Sequence, residues 1–359
     1  MPKMRFIFSI IALVFCVFPA HAETNVIITI DVESFTGGYP ERDIYGKLDG
    51  HNELYGTPKI LDILKKYNAK ATFYLNVYEI AEHGEKPIKD IAQKILAYGQ
   101  DLQLHTHLLP MYGKAALSHF ELDKQIEILG KGKLLIKEWT GYDVVAHRAG
   151  AYKANMDTMT ALAKNNIFID SSLSPASKPP SPLSRKGYLF NDISEIAGIT
   201  QLPITYFEQL RIGNWSSKRF LDIESVSLSE LKNILNQFSK EGTCTANIMM
   251  HSFSFIRFGY PDIKTVERLD KLLEFISSNN SFTTNNVKDF ISSYKNGELN
   301  CTPTPDFVPY TGFISTYLRS WERINEGWKN IVFALGVPAI LISAIGLPIL
   351  LLRMRAARK

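Results

Sequence analysis

Two carboxylates stand two positions apart in the segment Thr-Ile-Asp-Val-Glu, which ends at Glu33. In an extended backbone, side chains two residues apart point to the same side, so Asp31 and Glu33 can reach one ligand while Val32 points away. One carboxylate could therefore bind a metal ion while the other accepts a proton. The alternative is an ordinary acidic strand end that caps a following helix or faces the solvent.

A pair of imidazoles has the same spacing. His105 and His107 lie in the segment Leu-Gln-Leu-His-Thr-His, and Pro110 ends this element shortly afterwards. Imidazole and carboxylate donors together favour a divalent metal, and zinc suits this donor set best. A single histidine is more often a hydrogen-bonded structural residue or an exposed one than a metal ligand. The prediction of a metal site therefore depends on the pair and on the nearby carboxylates.

Further polar side chains end other apolar segments. Arg148 precedes the small residues Ala-Gly-Ala and could orient a carboxylate or form an ordinary ion pair. His251 follows Ile-Met-Met and could act as an acid or a base, or be structural. Asp170 could hold an imidazole or a guanidinium, or cap a helix, and His147 is expected to point away from the side of Arg148. No serine or cysteine stands in a nucleophile motif.

These side chains need elements that bring them together. Short β-branched or aromatic runs alternate with amphipathic helical patterns between residues 23 and 295, which is typical of an α/β fold. Strands are predicted at residues 26–31, 71–76, 102–107, 144–148, 167–170, 201–205 and 245–251. Helices are predicted at residues 57–67, 87–98, 118–139, 155–164, 229–239, 263–277 and 287–294. In a barrel, the polar residues at the strand ends would meet at one mouth.

The start of the chain predicts export. A basic beginning and an apolar run over residues 6–18 precede Ala-His-Ala, so residues 1–22 are expected to be a secretory signal peptide. An uncleaved anchor is the alternative. Ser118 and Glu121 are expected to form the capping box of the long helix that runs towards Trp139.

The other end predicts a membrane anchor. Residues 331–352 contain no charge and follow Trp328, and a basic tail at residues 353–359 closes them, as expected for a transmembrane helix with a cytoplasmic tail. A buried core helix is the alternative. The proline-containing residues 296–330 are expected to form a spacer and juxtamembrane segment between a domain at 23–295 and the membrane.

Charge and cysteine content limit the partners. The net charge of +4 includes six basic residues in the signal and the tail, and without them 34 basic residues face 36 acidic ones. A nearly neutral domain gives no reason to expect nucleic acid as a partner. Cys244 and Cys301 remain in the exported part, where a disulfide between them is plausible, although the sequence does not show that the sulfurs are close.

An ordered series of motifs resembles the NodB-like polysaccharide deacetylase superfamily. The series consists of Thr-Ile-Asp31, Thr-Phe-Tyr74, His105-Thr, Arg148-x-Gly-x-Tyr152, Asp170 and His251. The resemblance covers nearly the whole predicted domain and implies a distorted (β/α)7 barrel. It also implies metal-dependent removal of N- or O-acetyl groups from glycans.

The resemblance assigns roles to matching residues. Asp31 matches the general base, His105 a metal ligand, and Arg148 the residue that orients the base. His251 matches the general acid, and Tyr152 matches the residue whose backbone N–H stabilises the oxyanion. Each role is an expectation carried over from the family.

Two departures from the family pattern affect the metal. The usual Asp-Asp is Asp31-Val32 here, and the usual His-Ser/Thr-x-x-His is His105-Thr-His107-Leu-Leu. Glu33 and His107 are the natural replacements by position, since each shares a strand face with the matching residue. The Asp-Val-Glu opening resembles a variant branch of the superfamily.

The sequence therefore predicts a membrane-anchored, metal-dependent deacetylase of an acetylated polysaccharide. It is expected in the bacterial inner membrane as a single-pass protein, with the folded domain in the periplasm or extracytoplasmic space. One alternative is an inactive glycan-binding protein on the same fold. Another is a glycoside hydrolase that uses Asp31 and Asp170 as its carboxylate pair.

Overall fold

The computed structural model describes residues 23–35, 37–114, 116–213, 215–299, 301–324, 328–336 and 338. The predicted signal peptide, most of the predicted membrane helix and the basic tail lie outside these residues. Within the part that is described, none of the helices has the length and apolar character needed to cross a bilayer. Export and anchoring thus stay predictions.

Most of the predicted strands are present. The strands are β1 (Thr24–Val32), β2 (Thr72–Asn76), β3 (Asp101–Thr106), β4 (Ala146–Ala149), β5 (Ile169–Asp170), β6 (Ser194–Ile196), β7 (Ile199–Gln201), β8 (Tyr206–Ile212), β9 (Trp215–Phe220), β10 (Thr245–His251), β11 (Ile256–Arg257), β12 (Tyr260–Pro261) and β13 (Phe282–Asn285). The strand expected at 201–205 is displaced, because the paired part, β7, ends at Gln201.

Helices alternate with the strands. They are α1 (Pro40–Asp43), α2 (Thr57–Lys66), α3 (Ile80–His83), α4 (Glu85–Ala97), α5 (Leu109–Tyr112), α6 (Leu122–Thr140), α7 (Met156–Lys164), α8 (Pro182–Arg185), α9 (Leu228–Glu241), α10 (Ile263–Ser277), α11 (Val287–Lys295) and α12 (Gly312–Glu322). The predicted capping box of Ser118 and Glu121 is wrong. Ser118 lies in a separate turn, and the side chain of the actual N-cap, Glu121, makes no capping hydrogen bond.

One curled sheet positions the strand ends. Its order is β10-β1-β2-β3-β4-β5-β7-β6, and β13 also pairs with β1. The pairings are parallel except that of β6 with β7. Every residue of β1 to β5 is buried, which is the pattern of parallel strands covered on both faces. The carboxyl ends of these strands therefore share one edge.

Irregular backbone closes the curl between β7 and β10. The N–H of Thr205 donates to the carbonyl of Asn247 at 3.2 Å. The N–H of Met249 donates to the carbonyl of Leu221 at 3.0 Å, and the N–H of Ile223 donates to the carbonyl of Met249 at 3.1 Å. A mixed α/β fold with a curled, incompletely closed sheet fits the predicted distorted barrel.

The segment expected to be a spacer is attached to the domain. Cys244 and Cys301 form a disulfide with their Cα atoms 5.2 Å apart, so the pairing that the sequence left open is present. The carbonyl of Pro305 accepts a hydrogen bond from the N–H of Asn191 at 2.7 Å. Helix α12 follows, and its Glu322 pairs with the buried Arg268 at 3.0 Å. The contacts with the barrel therefore extend beyond residue 295.

Candidate active site

Asp31 and Arg148 form a buried ion pair at the shared edge of the sheet. A guanidinium nitrogen of Arg148 donates to Asp31 Oδ1 at 2.6 Å, while another donates to Thr29 Oγ1 at 2.8 Å and Ser171 Oγ at 2.9 Å. The guanidinium also lies 4.3 Å from the ring centroid of Tyr74. Burial disfavours the charged form, but the Asp31 carboxylate raises the pKa of Arg148 above its ordinary value. Arg148 therefore fixes the position of Asp31.

His105 is held from both ring nitrogens. Its Nδ1–H donates to the carbonyl of Arg148 at 2.9 Å, and its Nε2 lies 3.1 Å from Glu33 Oε2. Because Nδ1 must carry a proton to donate to a carbonyl, Nε2 can face a carboxylate only when it also carries a proton or when a cation is shared between them. This arrangement, with the second nitrogen fixed by a carbonyl, is the usual support of a metal-binding histidine.

His251 is paired with Glu224, a residue that the sequence did not suggest. Glu224 Oε1 lies 2.6 Å from His251 Nδ1 and also accepts from Ser254 Oγ at 2.6 Å. Burial lowers the pKa of His251, but the Glu224 carboxylate outweighs burial and raises it to about 10. Burial likewise raises the pKa of Glu224, while the His251 charge brings it down to about 2. The imidazolium lies on β10 directly opposite Asp31 of β1.

The backbone after Arg148 is strained. Ala151 and Tyr152 both have left-handed conformations, with φ of 51° and 57°. Such residues cost free energy that the surrounding structure must supply, and they cluster at functional sites. The ring of Tyr152 packs against Phe220 with centroids 5.5 Å apart. The oxyanion role of the Tyr152 N–H stays a prediction, but its backbone is held in an unusual geometry at the site.

The comparisons with known proteins agree with the sequence resemblance. Residues 48–167 match the family model described as polysaccharide deacetylase. Over 100 residues the chain is 33% identical to a peptidoglycan-N-acetylglucosamine deacetylase of Bacillus cereus. This match covers 27% of this chain and 34% of that protein. Over these residues the chain resembles the polysaccharide deacetylase family. It spans only about a third of the length of this curated relative.

Solved structures support the deacetylase fold alone, because their identities are low. A Mycobacterium smegmatis protein described as a polysaccharide deacetylase has a TM-score of 0.55 at 17% identity, covering 81% of this chain and 96% of its own. A 4-alpha-glucanotransferase of Thermococcus litoralis has a TM-score of 0.52 at 13% identity, and the match covers 87% of this chain and 50% of the glucanotransferase. Neither likeness transfers an activity to this protein.

Polysaccharide deacetylases of the matched family generally use a divalent metal, for which Glu33, His105 and His107 are the predicted ligands. Glu33 and His105 contact each other, and the ring of His107 is stacked on that of His105 with centroids 6.5 Å apart. The donor types fit zinc. Among the residues that the structure describes, however, no group of three or more histidine, cysteine, aspartate or glutamate side chains forms a metal site. The three side chains therefore fit a zinc ion by donor type and by their closeness to one another.

His107 is packed closely beside this pair. Its backbone N–H donates to Asn76 Oδ1 at 3.3 Å, and its carbonyl accepts from Asn76 Nδ2 at 3.1 Å. A Cβ atom on Gly150 would come within 2.7 Å of His107 Cδ2, so the glycine permits this close approach. Burial lowers the pKa of His107, which favours the neutral imidazole. A neutral ring is the form that binds a metal.

Asp170 lies in a hydrogen-bonded cluster with His147 beside the candidate active site. It accepts from His147 Nδ1 at 3.0 Å and Ser172 Oγ at 2.6 Å, and the other ring nitrogen of His147 lies 3.0 Å from Thr106 Oγ1. Of the roles left open by the sequence, Asp170 therefore holds an imidazole. Asp170 is fully buried and hydrogen-bonded to His147 and Ser172, an arrangement that favours a structural role over the glycoside hydrolase pair of Asp31 and Asp170.

Glu79 is a second residue that sequence reasoning missed. Its carboxylate accepts from the N–H of Ser34 at 2.6 Å and from Ser34 Oγ at 2.7 Å. Burial raises the pKa of Glu79 to about 7, although its hydrogen bonds with Ser34 oppose the shift. Glu79 fixes the backbone directly after Glu33. No motif signals it, because it lies in a turn after β2 and not at a strand end.

Proposed function

We propose that this protein is a metal-dependent deacetylase that hydrolyses N- or O-acetyl groups of a polysaccharide. The observation that carries the proposal is the pairing of a carboxylate and an imidazolium across adjacent parallel strands. Asp31 is held by Arg148 at 2.6 Å, and His251 is held by Glu224 at 2.6 Å. A base and an acid with separate partners are what acyl transfer from a poor leaving group requires.

Each protein group has a defined part in this reaction. Asp31 accepts the proton of the attacking water, and Arg148 keeps the carboxylate in position. His251 donates its proton to the departing sugar nitrogen or oxygen, and the Tyr152 N–H stabilises the oxyanion. A divalent metal held by Glu33, His105 and His107, for which zinc is our candidate, would supply Lewis-acid activation of water and the acetyl carbonyl.

Replacing the base tests this mechanism. We expect Asp31→Asn to lower acetate release from acetylated glycans by about 10²–10⁴-fold, the usual contribution of a positioned proton acceptor. Metal content, measured by elemental analysis after zinc loading, should remain that of the unsubstituted protein. Asp123→Asn, at an exposed aspartate in the first turn of α6, is the matched control and should be fully active. Full activity of Asp31→Asn would contradict the role of Asp31.

An inactive glycan-binding protein is the second candidate. It is favoured by the absence of a three-ligand group among the described residues and by the two departures from the family motif. Elemental analysis separates the two functions. A folded protein that retains no metal after zinc supplementation, and that binds acetylated oligosaccharide without releasing acetate, would support the binding protein.

We also propose that the domain works outside the cytoplasm, tethered to the bacterial inner membrane. The signal-like residues 1–22 and the apolar residues 331–352 support this location. Exposed apolar side chains along α12 and the helical residues after it add support, among them Ile314, Trp321 and Trp328. Tryptophan is enriched where protein meets the membrane interface.

A further inference from the structure

A cavity of about 580 Å³ opens beside the imidazole of His251. Glu224, which is paired with His251, lines this cavity together with Phe253, whose ring is stacked on that of His251 with centroids 4.7 Å apart. The volume falls within the ~300–1,000 Å³ range of small-molecule sites. Since the acid protonates the leaving group, and the leaving group of a deacetylation is the sugar, this side of the site belongs to the glycan.

Aromatic rings form one wall of the cavity. Phe253 is in edge contact with Phe35, with centroids 5.8 Å apart, and Phe258 completes the wall. Phe35 is 62% exposed and Phe258 is 89% exposed, so both rings offer their faces to a ligand. Large apolar side chains exposed together in a concave surface indicate a binding site.

The backbone presents Phe258 at a cost. It lies at the tip of the β11–β12 hairpin with φ of 51°, followed by Gly259 with φ of 81°. A turn with positive φ at both central residues usually has asparagine or aspartate before the glycine, because bulky side chains are strained there. Neither burial nor backbone preference explains a phenylalanine at this position. Contact with a ligand would explain it.

The charges around the cavity are already balanced. Arg42 donates two hydrogen bonds to Asp43, at 2.6 and 2.9 Å, and Asp43 also accepts from the N–H of Phe35 at 3.1 Å. Arg257 lies 3.5 Å from Asp262. Paired guanidinium and carboxylate groups offer hydrogen bonds to hydroxyl groups but no net attraction for an anion.

We propose that this cavity is a subsite for an uncharged sugar unit adjacent to the one that loses its acetyl group, with Phe258 as the surface on which that unit stacks. The subsite rests on the proposed deacetylase function for its orientation. It predicts a substrate of several neutral sugar units, such as an N-acetylhexosamine oligomer, and not a uronate- or phosphate-rich polymer.

Binding to the Asp31→Asn protein tests the subsite without turnover. We expect Phe258→Ala in this background to weaken binding of N-acetylglucosamine tetramer about ten-fold, which corresponds to ~1.4 kcal/mol. Phe258→Trp should bind within about three-fold of the parent, because the ring face is kept. Phe168→Ala is the matched control, since Phe168 is an exposed phenylalanine just before β5, outside the cavity. Calorimetry measures all four proteins.

The outcomes separate the subsite from the activity. Equal tetramer affinity of Phe258→Ala and its parent, no measurable tetramer binding, or tighter binding of an oligogalacturonate would each overturn the subsite. If the unsubstituted protein releases no acetate but binding still depends on Phe258, the proposed function fails and the subsite stands. If the unsubstituted protein releases acetate, but Phe258→Ala weakens binding of the N-acetylglucosamine monomer and tetramer by the same factor, the subsite fails and the function stands.

Discussion

Glu224 determines which form of His251 meets the substrate. A histidine at its ordinary pKa of 6.5 would be mostly neutral near pH 7. A neutral imidazole whose Nδ1–H faces Glu224 has no proton on Nε2 to give to a leaving group. The contact of 2.6 Å with Glu224, together with the carboxylates of Asp31 and Glu33, reverses the effect of burial. These contacts favour the imidazolium form of His251, which is the form that the proposed acid requires.

Removing this carboxylate should change the pH dependence of catalysis. In Glu224→Gln the pKa of His251 falls from about 10 towards its ordinary value of 6.5. A group with a pKa of 6.5 is ~3% protonated at pH 8, so we expect kcat at pH 8 to fall by up to about 30-fold and to recover at pH 6. The pH profile of acetate release measures this shift.

The profile distinguishes charge from structure. A fall in kcat of equal size at pH 6 and pH 8 would mean that Glu224 supports the loop and not the protonation of His251. Glu195→Gln, at an exposed glutamate of β6, is the control and should keep the unsubstituted profile.

Sequence reasoning found the residues at strand ends but not their partners. Asp31, Arg148 and His251 were predicted to meet, and they do, because each ends a parallel strand. For Asp170 the sequence left three roles open, and only the pairing of β4 with β5 shows that the imidazole it holds is that of His147. Glu224 follows an irregular segment that reaches β10 through backbone hydrogen bonds, and no local pattern signals such a contact.

At the scale of elements, the long apolar strands were predictable and the polar hairpins were not. β1 is buried along its whole length, and five of its nine residues are valine or isoleucine. β8 and β9 contain charged residues and are only partly buried; they pair antiparallel, and β8 packs against α12. The hairpin that presents Phe258 is only two residues long on each side.

The disulfide determines how firmly the segment after α11 is attached. Cys301→Ala should lower the free energy of unfolding by about 4 kcal/mol, since it opens a covalent loop that joins positions 57 residues apart. Urea unfolding under oxidising conditions measures the loss. Dithiothreitol should destabilise the unsubstituted protein by a similar amount and leave Cys301→Ala unaffected. A dithiothreitol effect of equal size on both proteins would contradict this explanation.

At the scale of the whole molecule, α12 connects the C-terminal segment to the edge of the sheet where the candidate active site lies. Buried Arg268 donates to the carbonyl of Ile223 at 2.6 Å and to that of Glu224 at 3.3 Å, and it pairs with Glu322 at 3.0 Å. Glu322 is the last residue of α12. The chain therefore leaves the domain on the side where His251 and Glu224 lie. An anchor at residues 331–352 would hold the mouth towards the bilayer.

This orientation predicts a substrate close to the membrane surface. A protein that ends at residue 324 keeps α12 and its contact with Arg268, so its kcat/KM for a soluble oligosaccharide should stay within about two-fold of the full chain. The same glycan can be carried on a lipid in vesicles that also contain the reconstituted full chain. On this substrate we expect the full chain to release acetate at least about ten-fold faster than the protein that ends at residue 324, because tethering raises the effective concentration of the mouth at the surface. Acetate release from both substrates measures the ratio. Equal rates of the full chain and the truncated protein on vesicles would contradict the orientation, since an anchor that held the mouth away from the bilayer would give no such gain.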